Sequence, residues 1–401
     1  MIDACPVRGM EEEHMKRLHS MAALSLAAAL AASVTGQALA GSPEFAYTPE
    51  KWSTLRDNKL EYGEIADLVH EYNPTVLNNQ ASYEQNREGD LGRSDGDIAA
   101  SYRNSAQQIY QQIEMMDPDS PTYDTTVLTL EQQAKALEAS ATSAEVGNFG
   151  MQTQNKQAEA TIVASTKTLM ITYHQLLLNL DLSKKNLELL KSQYEAVQRK
   201  AAVGMATQME VLNAKSAIEN GEMSILTTEK QIRTTKQSMC LATGWAYNAN
   251  PEIGELPSVS IEDILAIDLE ADKETAVKNN FTLSVNRHRL SSTRVPESKE
   301  TLEETIANNE SQIRSSVTSS YQALLQAQAD YEQAQTELAL AQKQADTAAL
   351  NLSIGNLSQL EYQQQAYALE GARISARLKE MAVLQAYETY KSGVAGLASA
   401  G

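Results

Sequence analysis

The sequence has 401 residues, with 52 acidic side chains against 33 basic ones and a formal net charge of −19. A chain this acidic repels phosphate groups, so nucleic acid and anionic membrane surfaces are excluded as expected partners. The hydrophobic fraction of 42% excludes wholesale disorder, and only 3 Phe and 2 Trp are present. Because large aromatic residues dominate thick cores, this composition favours long, thin helical packing.

The first 40 residues have the pattern of a leader and signal peptide. Lys16 and Arg17 precede an apolar run over residues 21–34, and Ala38 and Ala40 form a small-residue cleavage site. The run is shorter than the roughly 20 residues that a membrane-spanning helix needs. We therefore expect cleavage before Gly41 and export of the mature chain.

Two long stretches without proline, residues 122–250 and 297–401, can form long helices. Apolar residues recur in both with the three-four spacing of a heptad, and small residues alternate with large ones. In the second stretch the large positions are Val317, Leu324, Tyr331, Leu338 and Leu352. The pattern predicts all-α, coiled-coil packing of arms of about 50 residues, or about 75 Å at 1.5 Å per residue.

The two stretches are copies of each other. A shift of 151 positions places Gly204 on Gly355, Thr207 on Ser358 and Glu210 on Glu361. Glycine ends a helix readily, Thr or Ser can cap the next one, and a Glu there lies near the positive end of the helix. Each copy is therefore predicted to be a helical hairpin with a tight turn.

A short helix precedes each hairpin, and a linker with Pro251, Gly254 and Pro257 separates the halves. The first short helix ends at Asn73-Pro74, and the second ends near Asn280. We expect a leader at residues 1–40, a first helical repeat at 41–257 and a second at 258–401.

The duplicated unit, its Asn-Pro step, its two glycine turns and the Leu-Ala-Thr-Gly-Trp that ends at residue 245 resemble the TolC-type outer-membrane efflux family over most of residues 60–395. The resemblance implies a homotrimer whose twelve long helices form a hollow α-barrel. It also implies an exit duct of a tripartite exporter. Such a duct docks tip-to-tip on an adaptor protein and, through it, serves an inner-membrane pump.

The resemblance further assigns roles to the two turns. Acidic residues beyond the turns would constrict the pore, and these are Glu210 and Glu361; a further acidic position of the family is Gln364 here. The same residues also fit plain helix termination and capping. The residues that match the adaptor-docking turns are Val203, Gly204, Met205, Ile354, Gly355 and Asn356.

The chain departs from the family where members insert two membrane-spanning strands into each half. Such a strand takes about 9 to 11 residues. Residues 291–296 leave no room for a strand pair in the second half, and in the first half only residues 123–130 hint at a strand. We expect an α-barrel with little or no β structure, located in the cell envelope, whose membrane insertion is doubtful.

No phosphate loop, nucleophile elbow or dinucleotide fingerprint occurs in the sequence, and the histidines are isolated. We therefore expect neither an enzyme nor a site for a metal or cofactor. Two alternatives to the duct are a non-conducting coiled-coil scaffold of the envelope and an exported enzyme or solute-binding domain. Two apolar stripes on each arm would favour the duct, since a barrel stave contacts a neighbour on both sides.

Overall fold

The structure is a computed structural model that describes residues 47–89, 95–119 and 121–400. The expected signal peptide lies outside these residues. Of the described residues 84% are helical and 1% form strands, which confirms the all-α prediction.

The first half contains six helices among its described residues. A short strand, β1, and a single 3₁₀ turn lie between the first two helices. The bounds are α1 Pro49–Leu55, β1 Lys59–Leu60, the 3₁₀ turn Tyr62–Glu64, α2 Ile65–Tyr72, α3 Pro74–Gly89, α4 Asp95–Glu114, α5 Tyr123–Ala202 and α6 Gln208–Ala242.

The second half repeats this plan, but it has one helix, α9, where the first half has α3 and α4. The bounds are β2 Glu252–Ile253, α7 Ile261–Leu265, α8 Leu269–Asn279, α9 Phe281–Ser292, α10 Pro296–Ser353, α11 Gln359–Ser392 and a final π turn at Gly393–Leu397. No strand lies between α9 and α10. The two hairpins, α5–α6 and α10–α11, are those that the repeat predicted.

The arms are longer than predicted. Helix α5 has 80 residues and helix α10 has 58, which correspond to about 120 and 87 Å. The expectation of a strand at residues 123–130 is wrong, because helix α5 begins at Tyr123. Val127, Leu130 and Ala134 turn inward at helical spacing, so this segment has the periodicity of a helix face.

The four arms lie side by side in the order α6, α5, α11, α10. Ion pairs cross each seam: Lys191 with Glu222 at 3.8 Å, Lys167 with Glu388 at 2.8 Å, and Lys379 with Asp330 at 2.8 Å. Neighbouring arms are antiparallel, since Lys184 pairs with Glu229 while Lys191 pairs with Glu222. Likewise Lys167 meets Glu388 while residues 185–192 share a groove with residues 363–370. Both hairpin turns therefore lie at the same end of the row, and α6 and α10 form its edges.

The predicted heptad seam is present. Val317 and Leu324 on α10 are buried, together with the small residues Ala334, Ala345 and Ala348 of the same helix. On the other hairpin, a Cβ at Gly221 would stand 3.4 Å from the methyl groups of Leu187 and Leu190, so α6 approaches α5 closely there. Alternation of large and small residues thus sets the spacing of the arms.

Helix α4 packs along the first part of α5, at the end of the arms away from the hairpin turns. We call this end the upper end. Arg103 on α4 holds it there, since both terminal nitrogens of its guanidinium bind the Glu145 carboxylate at 2.6 and 2.7 Å. One of these nitrogens also donates to the Ser292 carbonyl at 3.0 Å, at the end of α9. Arg103 therefore ties the upper part of the first repeat to the second.

Apolar residues are concentrated where the short helices and the linker wrap the arms, and we call this region the joint: residues 47–73, 243–280 and 393–400. Strands β1 and β2 pair in parallel there, Lys59 with Glu252 and Leu60 with Ile253. Its buried residues include Leu60, Ile65, Leu68 and Val277. They pack on residues of the adjoining helices, Met170, Ile171 and Met239 in the first repeat and Leu283, Ile313 and Tyr390 in the second.

Candidate functional site

The first turn is built by a glycine-terminated helix end. Gly204 has φ of 75°, a left-handed conformation that favours glycine. Its N–H donates to the Ala201 carbonyl at 3.0 Å, and the N–H of Met205 donates to the Lys200 carbonyl at 2.8 Å. This bond pair satisfies the last carbonyls of α5 and reverses the chain within a few residues.

The second turn has the same geometry. Gly355 has φ of 79°. Its N–H donates to the Leu352 carbonyl at 3.1 Å, and the Asn356 N–H donates to the Asn351 carbonyl at 2.8 Å. The two turns are therefore equivalent in backbone conformation as well as in sequence.

A capping box follows each turn. The N–H of Glu210 donates to the Thr207 hydroxyl at 3.2 Å, and the Thr207 N–H donates to Glu210 Oε2 at 2.6 Å. In the second turn the Glu361 N–H donates to the Ser358 hydroxyl at 3.3 Å, and the Ser358 N–H donates to Glu361 Oε2 at 2.9 Å. The predicted caps are confirmed, since each helix satisfies two otherwise unpaired backbone donors.

The caps also hold both carboxylates in the charged form. The backbone N–H of Thr207 lowers the pKa of Glu210 most, and the Thr207 hydroxyl adds to this effect. The Ser358 hydroxyl lowers the pKa of Glu361 most, followed by the Ser358 backbone. Oε2 of each Glu accepts both capping bonds, so each carboxylate lies over its own helix start.

The turns present apolar side chains to solvent. Val203 is 69% exposed, Met205 76% and Ile354 60%. A Cβ added to Gly204 or Gly355 would meet no atom within 4 Å, so nothing in the described chain packs over either turn. All six residues of the predicted docking turns therefore lie together at one exposed end of the molecule.

Sequence reasoning missed a second equivalent pair, in the joint. The buried side chain of Asn73 caps α3 by accepting from the Thr75 N–H at 2.9 Å, and its amide donates to the Ala242 carbonyl at 2.7 Å. The buried Asn280 accepts from the Leu283 N–H at 3.0 Å and donates to the Ala398 carbonyl at 2.8 Å. The recurring Asn after each short helix was the available signal, but only the structure shows that it binds the end of the returning arm.

Glycines with positive φ complete the joint. Gly244 has φ of 78° and Gly396 has φ of 120°. A Cβ on Gly244 would overlap the backbone of Tyr72, and one on Gly396 would overlap the carbonyl of Asn279. Gly244 therefore lets the chain after α6 contact Tyr72, next to Asn73, and Gly396 lets the chain after α11 contact Asn279, next to Asn280.

No family model and no curated protein matches the chain. Solved structures do match its fold. The CmeC outer-membrane channel of Campylobacter jejuni superposes with a TM-score of 0.50 at 11% identity, over 86% of this chain and 87% of that one. The outer-membrane channel OprN gives 0.54 at 10% identity, over 86% and 92%. CusC, whose structures concern transmembrane channel formation, gives 0.51 at 11%, over 87% and 95%.

These similarities show that the chain has the fold of the TolC-type channels, as the sequence motifs indicated. Within residues 47–89, 95–119 and 121–400, no helix is both long and apolar enough to cross a membrane. The same residues hold no group of three or more His, Cys, Asp or Glu side chains arranged to bind a metal.

Proposed function

We propose that this protein is the exit-duct component of a tripartite efflux system in the cell envelope, working as a homotrimer of two-repeat chains. The observation that carries the proposal is the open row of four arms with both turns at one end. A row with two free edges closes into a ring when each copy meets the next head to tail. Three such rows would place twelve helices around a hollow axis.

Edge helix α6 carries a second apolar stripe. Its first stripe faces α5 and includes Ile218 and Gly221. At about 103° per residue in a heptad, the second stripe lies about 150° round the helix from the first. It contains Met209, Leu212, Met223 and Leu226, each more than half exposed. A twelve-stave ring needs contact faces about 150° apart, so α6 is shaped to join two neighbours.

Edge helix α10 has a matching face about 150° round from its seam with α11. Its residues are exposed and mix small, apolar and charged types. They include Leu325, Ala329, Glu332, Ala339, Lys343, Asp346 and Leu350.

The two faces are complementary at a common height. The ion pairs across the three seams align the arms, so α6 and α10 can be compared level by level from the turns upward. Arg233 then stands within two residues of the height of Glu332, Leu226 within two of Ala339, and Met223 within one of Lys343. Opposite charges meet and apolar residues meet, which favours contact between copies. A non-conducting scaffold needs only one filled seam per arm, so it would not explain a second contact face on α6 and α10.

The exposed turns support docking on an adaptor. Val203, Met205 and Ile354 offer apolar contacts on rigid, glycine-closed turns, and Gly204, Gly355 and Asn356 shape the turns. Exposed apolar side chains that cluster on a surface mark sites of protein contact. Glu210 and Glu361 follow the turns by a few residues, so the proposed trimer would gather six carboxylates near its mouth, where they would constrict the pore and attract cations.

Disulfide trapping tests the closed ring. With Met223→Cys and Lys343→Cys in one chain, oxidation should give a covalent ladder that ends at three copies. The buried Cys240 is the thiol already present among the described residues and serves as the background control. Cross-links that continue past three copies, or none above the single-cysteine variants, would contradict the ring.

A charge exchange tests the register. Glu332→Lys should weaken the trimer, and adding Arg233→Glu should restore it. Ion pairs away from the edges provide a control, because Glu222→Lys disturbs the α5–α6 seam within a chain. Equal weakening by the single and the double exchange would refute the proposed pairing.

A further inference from the structure

A groove of about 490 Å³ lies between α5 and α9, above the joint. The apolar part of its wall is formed by Val146 and Met151 on α5 and by Phe281 and Val285 on α9. The volume falls within the roughly 300–1,000 Å³ of small-molecule sites, which are mostly apolar with a few polar groups.

Two glycines within α5 line this groove, Gly147 and Gly150. Glycine inside a helix is unfavourable relative to alanine, so it needs a reason. A Cβ on Gly147 would meet no atom within 4 Å, and one on Gly150 would meet only Val146, at 3.6 Å. Packing within the chain therefore does not require either glycine, and their effect is to leave the groove open.

The groove has an unusual local charge. None of its lining residues is acidic, although the chain carries a net charge of −19. Arg289 lines it, and within the described residues its guanidinium forms no ion pair or hydrogen bond. Arg287, two positions away, instead binds Glu310 at 2.9 Å. A larger groove of about 770 Å³ beside β1 is lined by Glu61, Glu252, Glu255 and Glu388. A neighbouring groove of about 500 Å³ on the other side of Arg289 is lined by Glu138 and Glu297.

The position of the groove separates it from the faces between copies. Helix α5 packs on α4 on one side and α9 on the other, so their seam lies inside the row of one chain. Helix α6 ends at Ala242, before the level of the groove, where the row is α4, α5, α9 and α10 and its edges are α4 and α10. A neighbouring copy in the proposed ring would not cover the α5–α9 seam.

We propose that this groove binds a single-chain anionic amphiphile, with its apolar chain along Val146, Met151, Phe281 and Val285. Its carboxylate or phosphate lies on Arg289, where a guanidinium can bind it through two hydrogen bonds. Gln157 and Asn286 also line the groove and offer neutral donors. The site is independent of the duct function and would remain if the ring proposal failed.

A fluorescent fatty acid tests the site. The mature chain, purified without detergent, is titrated with cis-parinaric acid, whose emission rises in apolar surroundings. We expect saturable binding of one probe per chain, competed by decanoate and decyl phosphate but not by decyltrimethylammonium. Sedimentation with phosphatidylglycerol vesicles separates a bilayer source from a free one, since free amphiphile binding needs no vesicle.

Matched variants make the result specific. Arg289→Gln should weaken binding about tenfold, whereas Arg287→Gln, on the same helix, should leave it unchanged. Gly147→Leu should fill the groove and abolish binding, while Gly371→Leu, at another helical glycine with open surroundings, should not. Sedimentation velocity shows whether each variant keeps its shape.

Equal binding by all four variants would mean non-specific partitioning and would overturn the proposal. So would equal competition by the cationic amphiphile. A Gly147→Leu chain that changes its oligomeric mass while the unmodified chain binds no probe would show that the groove is a protein contact instead.

Discussion

Among the described residues, four glycines with positive φ occur in equivalent pairs, and the two pairs work differently. Gly204 and Gly355 at the turns stand in open space, so they serve only to reverse the chain. Gly244 and Gly396 at the joint must reverse the chain and also leave room for the backbone opposite. The turns therefore constrain conformation alone, while the joint constrains conformation and contact together.

The difference separates recognition from support. A turn that packs against nothing in its own chain is free to expose Val203, Met205 and Ile354 to a partner. The joint buries Asn73 and Asn280, whose amides bind the ends of the returning arms. We infer that the joint fixes the arms, and that the turns can change their surface residues with little effect on the fold.

The largest expected effect comes from Gly244→Ala and Gly396→Ala. Each adds a Cβ that overlaps backbone, in a conformation unfavourable for alanine, so unfolding should become easier by about 3 to 5 kcal/mol. Gly204→Ala and Gly355→Ala should lose only the cost of placing alanine in a left-handed conformation, about 1 to 2 kcal/mol. Urea unfolding followed by circular dichroism measures all four. Equal losses at turns and joint would remove the distinction.

The next effect comes from the joint asparagines. Asn73→Ala and Asn280→Ala each remove a helix cap and leave a carbonyl of the returning segment without its donor, so each should lose about 2 to 3 kcal/mol. Asn356→Ala at the exposed turn should lose much less, since only its backbone N–H is used there. The same urea experiment compares them, and a loss at Asn356 as large as at Asn280 would contradict the account.

A smaller and local effect is expected above the joint. Arg103→Gln breaks the fork to Glu145 and the bond to the Ser292 carbonyl, at a side chain that is 11% exposed. We expect α4 to open more easily by about 2 kcal/mol. Hydrogen exchange of residues 95–114 measures this opening. Arg373→Gln breaks an exposed pair with Glu370 and should leave exchange in α11 nearly unchanged.

The smallest effect concerns acid and the capping boxes. Because the pKa values of Glu210 and Glu361 lie below the ordinary 4.5, their caps contribute stability above that pH and lose it as the pH falls through the lowered values. Both groups are fully exposed, so the change should be confined to the turns. Amide chemical shifts of Thr207 and Ser358 should follow these titrations, and Glu→Gln variants should show none.

Much of the fold was predictable from local chemistry. Heptad spacing indicated the arms, and Gly204, Thr207 and Glu210 indicated a turn and cap that form within a few residues of one another. The expectation of a strand at residues 123–130 was wrong. This segment is helical and packs on α4, and such a tertiary contact cannot be recognised from the local sequence. The joint could not be predicted, since Asn73 meets Ala242 across 169 positions of sequence. The roles of Glu210 and Glu361 in a pore stay predictions, because they depend on neighbouring copies.

The central claim is that the chain closes into a hollow trimer, and an end-on image tests it most directly. The mature chain, purified without detergent, is weighed by light scattering and imaged by electron microscopy. The account predicts three times the chain mass and a ring of twelve helices around an empty axis. A monomer or dimer with a filled cross-section would contradict it.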